Sequence, residues 1–206
     1  MTKTRHEKTQ YLTRLAILVA VMLLFAFTPV GYIKLPTVEI TFMILPVAIG
    51  AIWLGPAAGA FLGGVFGLTS FIQCFGLSAF GTFLFSLNPV LTFIMCMLPR
   101  ILCGWLPGLI FSAVKKIDKT NVLSYFAASL ATALLNTVLF MLCIVLFFWK
   151  NPLFIETMGA WGMTTDSLWI FLVAFVGING LIEAIVNCIV GGSVAKVLAR
   201  YMKHGS

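Results

Sequence analysis

Charge is what this chain has least of. Only 9% of its 206 residues are Asp, Glu, Lys or Arg, against roughly a quarter in ordinary soluble domains, so no water-facing surface can be built from it. Histidine is nearly absent: His6 and His204 are the only two, both in the polar tails. That excludes a histidine-ligated metal site, or a histidine general base, within the apolar part. No GxxxxGK[ST] stretch occurs, which excludes ATP use through a P-loop of its own. The five cysteines (Cys74, Cys96, Cys103, Cys143, Cys188) contain no CxxC pair, so a disulfide oxidoreductase is not indicated and they read as small hydrophobes within helices. No catalytic residue, metal or cofactor is expected.

What is present is apolar: 61% hydrophobic residues and a mean hydropathy of +1.10. Residues 40–99 contain no Asp, Glu, Lys or Arg. At ~1.5 Å per helical residue that run far exceeds one crossing of a ~30 Å hydrocarbon core and has to fold back on itself. Long uninterrupted runs, without period-two alternation, favour helices over a barrel. The expectation is an all-α integral membrane protein, one membrane domain over residues 1–206. Its six spans are placed at about 15–29, 40–54, 57–72, 89–114, 122–149 and 168–199. The first run is read as a retained helix, since no small-residue cleavage site follows it. Pro29, Gly31 and Pro36 punctuate a loop, and Gly55-Pro56 separates the second and third spans. Residues 73–87 read as an uncharged, partly buried loop, and Pro99 and Pro107 as kinks in the fourth span.

With six spans the tails share a side. All of the 13 Lys and Arg except Lys34, Arg100 and Lys150 then fall on it. The positive-inside bias makes both termini cytoplasmic, in a plasma membrane. The net charge of +7 reflects topology and attraction to anionic lipid, and calls for no nucleic acid.

Two charges remain inside the apolar spans: Arg100 and Glu183. Counting along the spans puts both at a similar depth, with Asn136 at that level too. Asn179, Glu183 and Asn187 recur every four residues and share one helix face. One reading is an Arg100–Glu183 ion pair that holds helices together. Buried ion pairs stabilise poorly, because desolvation offsets the Coulomb gain, so a polar pocket that admits a hydrated ligand is the other. Candidate ligand contacts are Arg100, Asn136, Asn179 and Glu183, with Gln73 and Asn88 from the connecting segment; Asn88 is equally suited to cap the following helix. Ala16/Ala20, Ala127/Ala131 and Ala195/Ala199 are small-xxx-small pairs, and Gly59, Gly63, Gly64 and Gly67 make a stronger case for close packing or a hinge.

The run "TPVGYIKLPTVEITFMILPVAIGAIWLGPAAGAFLGGVFGLTSFIQ", the AxxxA of the first span and six spans in about 200 residues resemble the substrate-binding (S) components of energy-coupling factor vitamin transporters. The likeness extends over nearly the whole chain, and "ITFMILPVAIGAIWLGPAAGAFLGGVFG" is its most specific part. It implies high-affinity capture of a water-soluble vitamin and association with a transmembrane coupling (T) protein carrying two ATPase subunits. It also implies toppling in the membrane to release the ligand inside. Ala16 and Ala20 would contact the coupling protein, and the segments 29–39 and 73–88 would occlude the pocket. Asn187, a turn further inward, would serve helix packing or release. Arg100 suits a carboxylate and the amides suit hydroxyl and amide groups, which matches pantothenate, the branch towards which the likeness leans. Biotin, niacin, thiamine, riboflavin and folate remain alternatives, as does a small channel or stand-alone transporter.

Overall fold

The computed structural model describes residues 5–28, 31–34, 39–119, 122–163 and 167–204; at 32–34, 39–40, 178–179, 199 and 201–204 it describes the backbone alone. The first helix, α1 (Arg5–Phe27), leads to an antiparallel ribbon of β1 (Tyr32–Lys34) and β2 (Glu39–Thr41), with Tyr32 opposite Thr41. Then follow α2 (Ile44–Trp53), α3 (Pro56–Gln73), α4 (Ala79–Leu87), α5 (Pro89–Val114) and α6 (Leu123–Phe147). The chain closes with α7 (Pro152–Ala160), α8 (Leu168–Val186), a π-helical turn at Asn187–Gly191 and α9 (Gly192–His204).

Five helical stretches among the described residues are long and apolar enough to cross a membrane: α1, α3, α5, α6 and Gly180–Leu198. Two shorter apolar helices, α2 and Leu168–Gly177, accompany them. Large apolar side chains such as Leu24, Phe61, Val138, Leu146 and Val173 point outward. In lipid this is the low-energy arrangement, because helices satisfy their own backbone groups. The protein is therefore a helical, multi-pass membrane protein.

Several elements differ from the sequence expectation, each for a local reason. The second stretch becomes helical only at Ile44, because the residues before it pair as the ribbon. Within the expected loop 73–87 stands α4, capped by Ser78, whose Oγ accepts the Gly81 N–H at 3.2 Å. Between the fifth and sixth expected spans stands α7, with Pro152 at its first position and Asn151 accepting from the Leu153 N–H at 3.0 Å. The sixth stretch is not one straight helix: Gly177 has non-helical angles (φ 13°, ψ −125°), and the π turn follows at Asn187. By contrast, α5 runs as one helix through Pro99 and Pro107.

The most extensive packing is between α3 and α5. A Cβ on Gly59 would collide with the backbone carbonyl of Gly104, and one on Gly104 with that of Gly59. Gly63 and Gly67, one and two turns along α3, abut the carbonyls of Arg100 and Cys96 in the same way. Gly64 lies off this seam and meets only the Ile101 side chain. The glycine cluster is thus a backbone-to-backbone contact, and it fixes the height and rotation of α5 at Arg100. Gly55, with φ 99°, makes the sharp break between α2 and α3 that Pro56 then converts into a helix start.

Two apolar cores result. One gathers Met22, Met43, Ile44, Val47, Leu62 and Phe66; the other gathers Leu84, Met95, Ile144, Phe148, Phe154 and Phe171. Residues of both cores border the space described next.

Candidate functional site

A cavity of about 180 Å³ lies among α3, α4, α5, α6, α8 and the end of β2 at Thr41. Its polar lining is Thr41, Ser70, Gln73, Ser78, Arg100, Asn136, Thr137 and Glu183. Its apolar wall includes Phe66, Phe80, Phe140, Trp161 and Phe175. A concave, mainly apolar chamber with a few convergent polar groups is the usual form of a small-molecule site.

Arg100 sits on α5 about 16 Å from Pro89 at ~1.5 Å per residue and is only 8% exposed. Its Nη1 donates to the Met95 carbonyl at 3.0 Å. Its guanidinium carbon stands 4.6 Å from the Phe140 ring centroid and 5.4 Å from that of Phe66. These contacts orient the planar group. The Nε is buried with no hydrogen-bond partner, which is costly unless something arrives to satisfy it. Nε–H and the neighbouring Nη2 form one edge of the guanidinium, the geometry that receives a carboxylate through two parallel bonds.

Glu183 is held elsewhere. Its Oε1 accepts the Thr41 backbone N–H at 2.8 Å, tying α8 to the ribbon. Among the described residues no ion pair joins Arg100 to Glu183, so the helix-clamp reading of these two charges finds no contact there. Both line the same chamber instead.

Asn136 is buried on α6, with Oδ1 3.9 Å from the Cys103 Sγ. Gln73, also buried, donates from Nε2 to the Ala26 carbonyl at 3.3 Å, linking the end of α3 to α1. Asn88 is not in the cavity wall. Its Oδ1 caps α5, accepting from the Val90 and Leu91 N–H groups at 3.1 and 3.0 Å. Asn179 falls in α8, and its side chain is outside those described. Asn187 turns to packing: its Nδ2 donates to the Ser129 carbonyl at 2.7 Å, and Ser129 Oγ donates to the Asn187 carbonyl at 2.6 Å. On α1, Ala16 and Ala20 are exposed.

The sequence reading omitted Thr41, Ser70, Thr137 and the aromatic wall. Phe80 stands 5.2 Å from Phe175, 6.4 Å from Trp161 and 6.5 Å from Phe140 between ring centroids, so α6, α8 and the turn after α7 converge on it. Some of this was recoverable: Phe140 lies four residues beyond Asn136, on the same face of α6. Thr41 and Trp161 had no such periodic link.

A multi-pass helical membrane protein enclosing a cavity with one unsatisfied cation and several amides is built to hold a small polar solute. The comparisons with known proteins agree with that class. A family described as "ECF transporter, substrate-specific component" matches residues 10–191. A pantothenate transporter, PanT, of Leuconostoc mesenteroides subsp. mesenteroides is 32% identical over 202 residues, which covers 94% of this chain and 94% of its own length. A pantothenic acid transporter, PanT, of Lactococcus lactis subsp. cremoris is 33% identical over 209 residues, covering 95% and 97%. The chain belongs to the ECF transporter substrate-specific component family.

Proposed function

We propose that this chain captures pantothenate outside the cell and serves as the specificity subunit of an ATP-driven importer. The observation that carries the reading is Arg100 in the cavity lining, with its buried Nε left without a hydrogen-bond partner. A carboxylate is the group that satisfies two parallel N–H donors and neutralises the guanidinium at once. Pantothenate has one carboxylate, two hydroxyls and one amide. Its carboxylate goes to Arg100, and its hydroxyls and amide go to Glu183, Asn136, Gln73 and Asn179, while the aromatic wall covers its methyl groups. Both relatives carry pantothenate in their names. Riboflavin lacks the carboxylate, and thiamine is a cation that Arg100 would repel.

In this reading residues 1–206 form one membrane domain with six spans and both termini in the cytoplasm of a prokaryote. The shorter helices α2 and Leu168–Gly177 make up the crossings that α1, α3, α5, α6 and Gly180–Leu198 leave incomplete. Energy comes from outside the chain: a transmembrane coupling protein with two ATPase subunits engages the Ala16/Ala20 face of α1. The lipid bilayer is the remaining partner.

Calorimetric titration of the chain alone in detergent, with pantothenate, biotin, niacin, thiamine, riboflavin and folate, tests the assignment. One-to-one submicromolar binding of pantothenate, with the others silent, is the expected result. Tight binding of a different vitamin would reassign the cargo.

A further inference from the structure

The cysteines do not share one role. Cys103 donates to the Arg100 carbonyl at 3.2 Å, Cys188 approaches the Phe126 carbonyl at 3.9 Å, and Cys143 packs in the second apolar core. These three behave as the small hydrophobes that composition suggests. Cys74 and Cys96 depart from it. They come from different helices, their sulfurs are 4.0 Å apart, and both line the ligand cavity. Neither is in a disulfide.

Their placement gives the pair chemical meaning. Cys74 directly follows the last residue of α3 and opens a turn through residues 74–77 in which Gly76 has φ 107°. From that turn hangs α4, whose Phe80, Gly81 and Leu84 form part of the cavity wall. Cys96 lies in mid-α5, one helical turn before Arg100 and therefore on its face. A disulfide bond is ~2.05 Å long, so closure needs the two sulfurs to approach by about 2 Å. A helix end followed by a glycine turn can supply that movement without breaking helical hydrogen bonds.

We propose that Cys74 and Cys96 are a redox-active dithiol in the wall of the cavity, closed to a disulfide by a small hydroperoxide entering from the ligand side. In the closed form the start of α4 is drawn against α5 beside Arg100, and the chamber takes its ligand poorly. In the first step one cysteine sulfur attacks a peroxide oxygen: an S–O bond forms, the O–O bond breaks, and for hydrogen peroxide water leaves with the thiol proton. In the second, the other sulfur attacks the sulfenic sulfur: the S–S bond forms, the S–O bond breaks, and a second water leaves. Two thiols lose two electrons and two protons, and one hydrogen peroxide becomes two waters. A thiol reductant reverses it. The dithiol itself is independent of the vitamin assignment; its effect on uptake rests on that reading.

The test uses the full chain in detergent, as wild type and as Cys74→Ser, Cys96→Ser and Cys103→Ser. Each is treated with hydrogen peroxide, digested, and examined by mass spectrometry for a 74–96 disulfide-linked peptide. Each is then titrated with pantothenate before and after treatment. Wild type and Cys103→Ser should give the linked peptide and lose affinity at least about tenfold, the equivalent of ~1.4 kcal/mol, with recovery in dithiothreitol. Cys74→Ser and Cys96→Ser should give no such peptide, and each should keep its own untreated affinity. Absence of the linked peptide from oxidised wild type would overturn the proposal. So would the peptide with unchanged affinity, or an equal loss in Cys96→Ser. If the linked peptide forms but the untreated chain never binds pantothenate, the thiol pair stands and the vitamin assignment falls.

Discussion

The Thr41 backbone N–H donates to the Glu183 carboxylate at 2.8 Å, joining residues 142 positions apart in sequence. Through this bond the ribbon after α1 is fastened to the C-terminal half of α8 at the edge of the cavity. One carboxylate oxygen is engaged by the ribbon, and the residue also lines the chamber. Glu183 thus touches both the ribbon and the chamber, and under the proposed ligand placement the two become coupled through one side chain.

That coupling gives the first prediction. Glu183→Ala removes the acceptor and leaves the Thr41 N–H without it, at a cost of about 1–3 kcal/mol. Hydrogen–deuterium exchange at Thr41 should quicken, and pantothenate affinity should fall with it. Glu183→Gln retains an acceptor oxygen, so the ribbon should stay protected. Equal exchange in wild type and Glu183→Ala would show that the bond does not hold the ribbon.

Arg100 is asked to supply a charge-assisted double hydrogen bond. Arg100→Ala should weaken pantothenate binding by about 100-fold, in line with the ~1.5–3 kcal/mol of a hydrogen bond to a charged group. Arg100→Lys keeps the charge but loses the planar fork, and should recover only part of that. The check is calorimetry on variants that elute as monodisperse peaks. Wild-type affinity in Arg100→Ala would remove the carboxylate from this position.

Asn88 should behave as a cap and nothing more. Asn88→Ala is expected to cost about 1 kcal/mol of stability and lower the melting temperature by a few degrees. Affinity should be unchanged, since Asn88 is outside the cavity wall. A clear loss of binding at full thermal stability would return Asn88 to the ligand.

The glycine seam predicts a steep steric penalty. Gly59→Val drives a branched side chain into the Gly104 carbonyl, and overpacking of this kind costs about 1–3 kcal/mol or more. Gly64→Ala, facing only the Ile101 side chain at 3.9 Å, should be nearly silent. Thermal unfolding in detergent separates the two. Comparable melting temperatures would mean that α3 and α5 can part without cost.

On α1 the test separates binding from transport. Ala16→Trp and Ala20→Trp lie on an exposed face remote from the cavity lining, so the isolated chain should bind with unchanged affinity. Vitamin uptake by the assembled importer should be lost. Uptake that survives both changes would place the coupling surface elsewhere.

Much of this protein is legible in its sequence because a bilayer offers few solutions. With so few charges, and residues 40–99 free of them, each backbone group has to be satisfied inside a helix, and apolar runs report where those helices lie. For the same reason Arg100, Asn136 and Glu183 stood out: an ionised or amide side chain at that depth needs a partner or a cavity. Only the tertiary structure decided which. A spacing of four put Asn179, Glu183 and Asn187 on one face, yet Glu183 reaches the cavity and the ribbon while Asn187 closes a reciprocal bond with Ser129. Gly177 interrupts α8 between the cavity residues Val176 and Gly180, and periodicity gave no sign of it. Thr41, Trp161 and the Cys74–Cys96 approach depend on which segments meet after the chain folds back. Helix periodicity records the faces of one element, and it carries no information about which faces of other elements arrive opposite them.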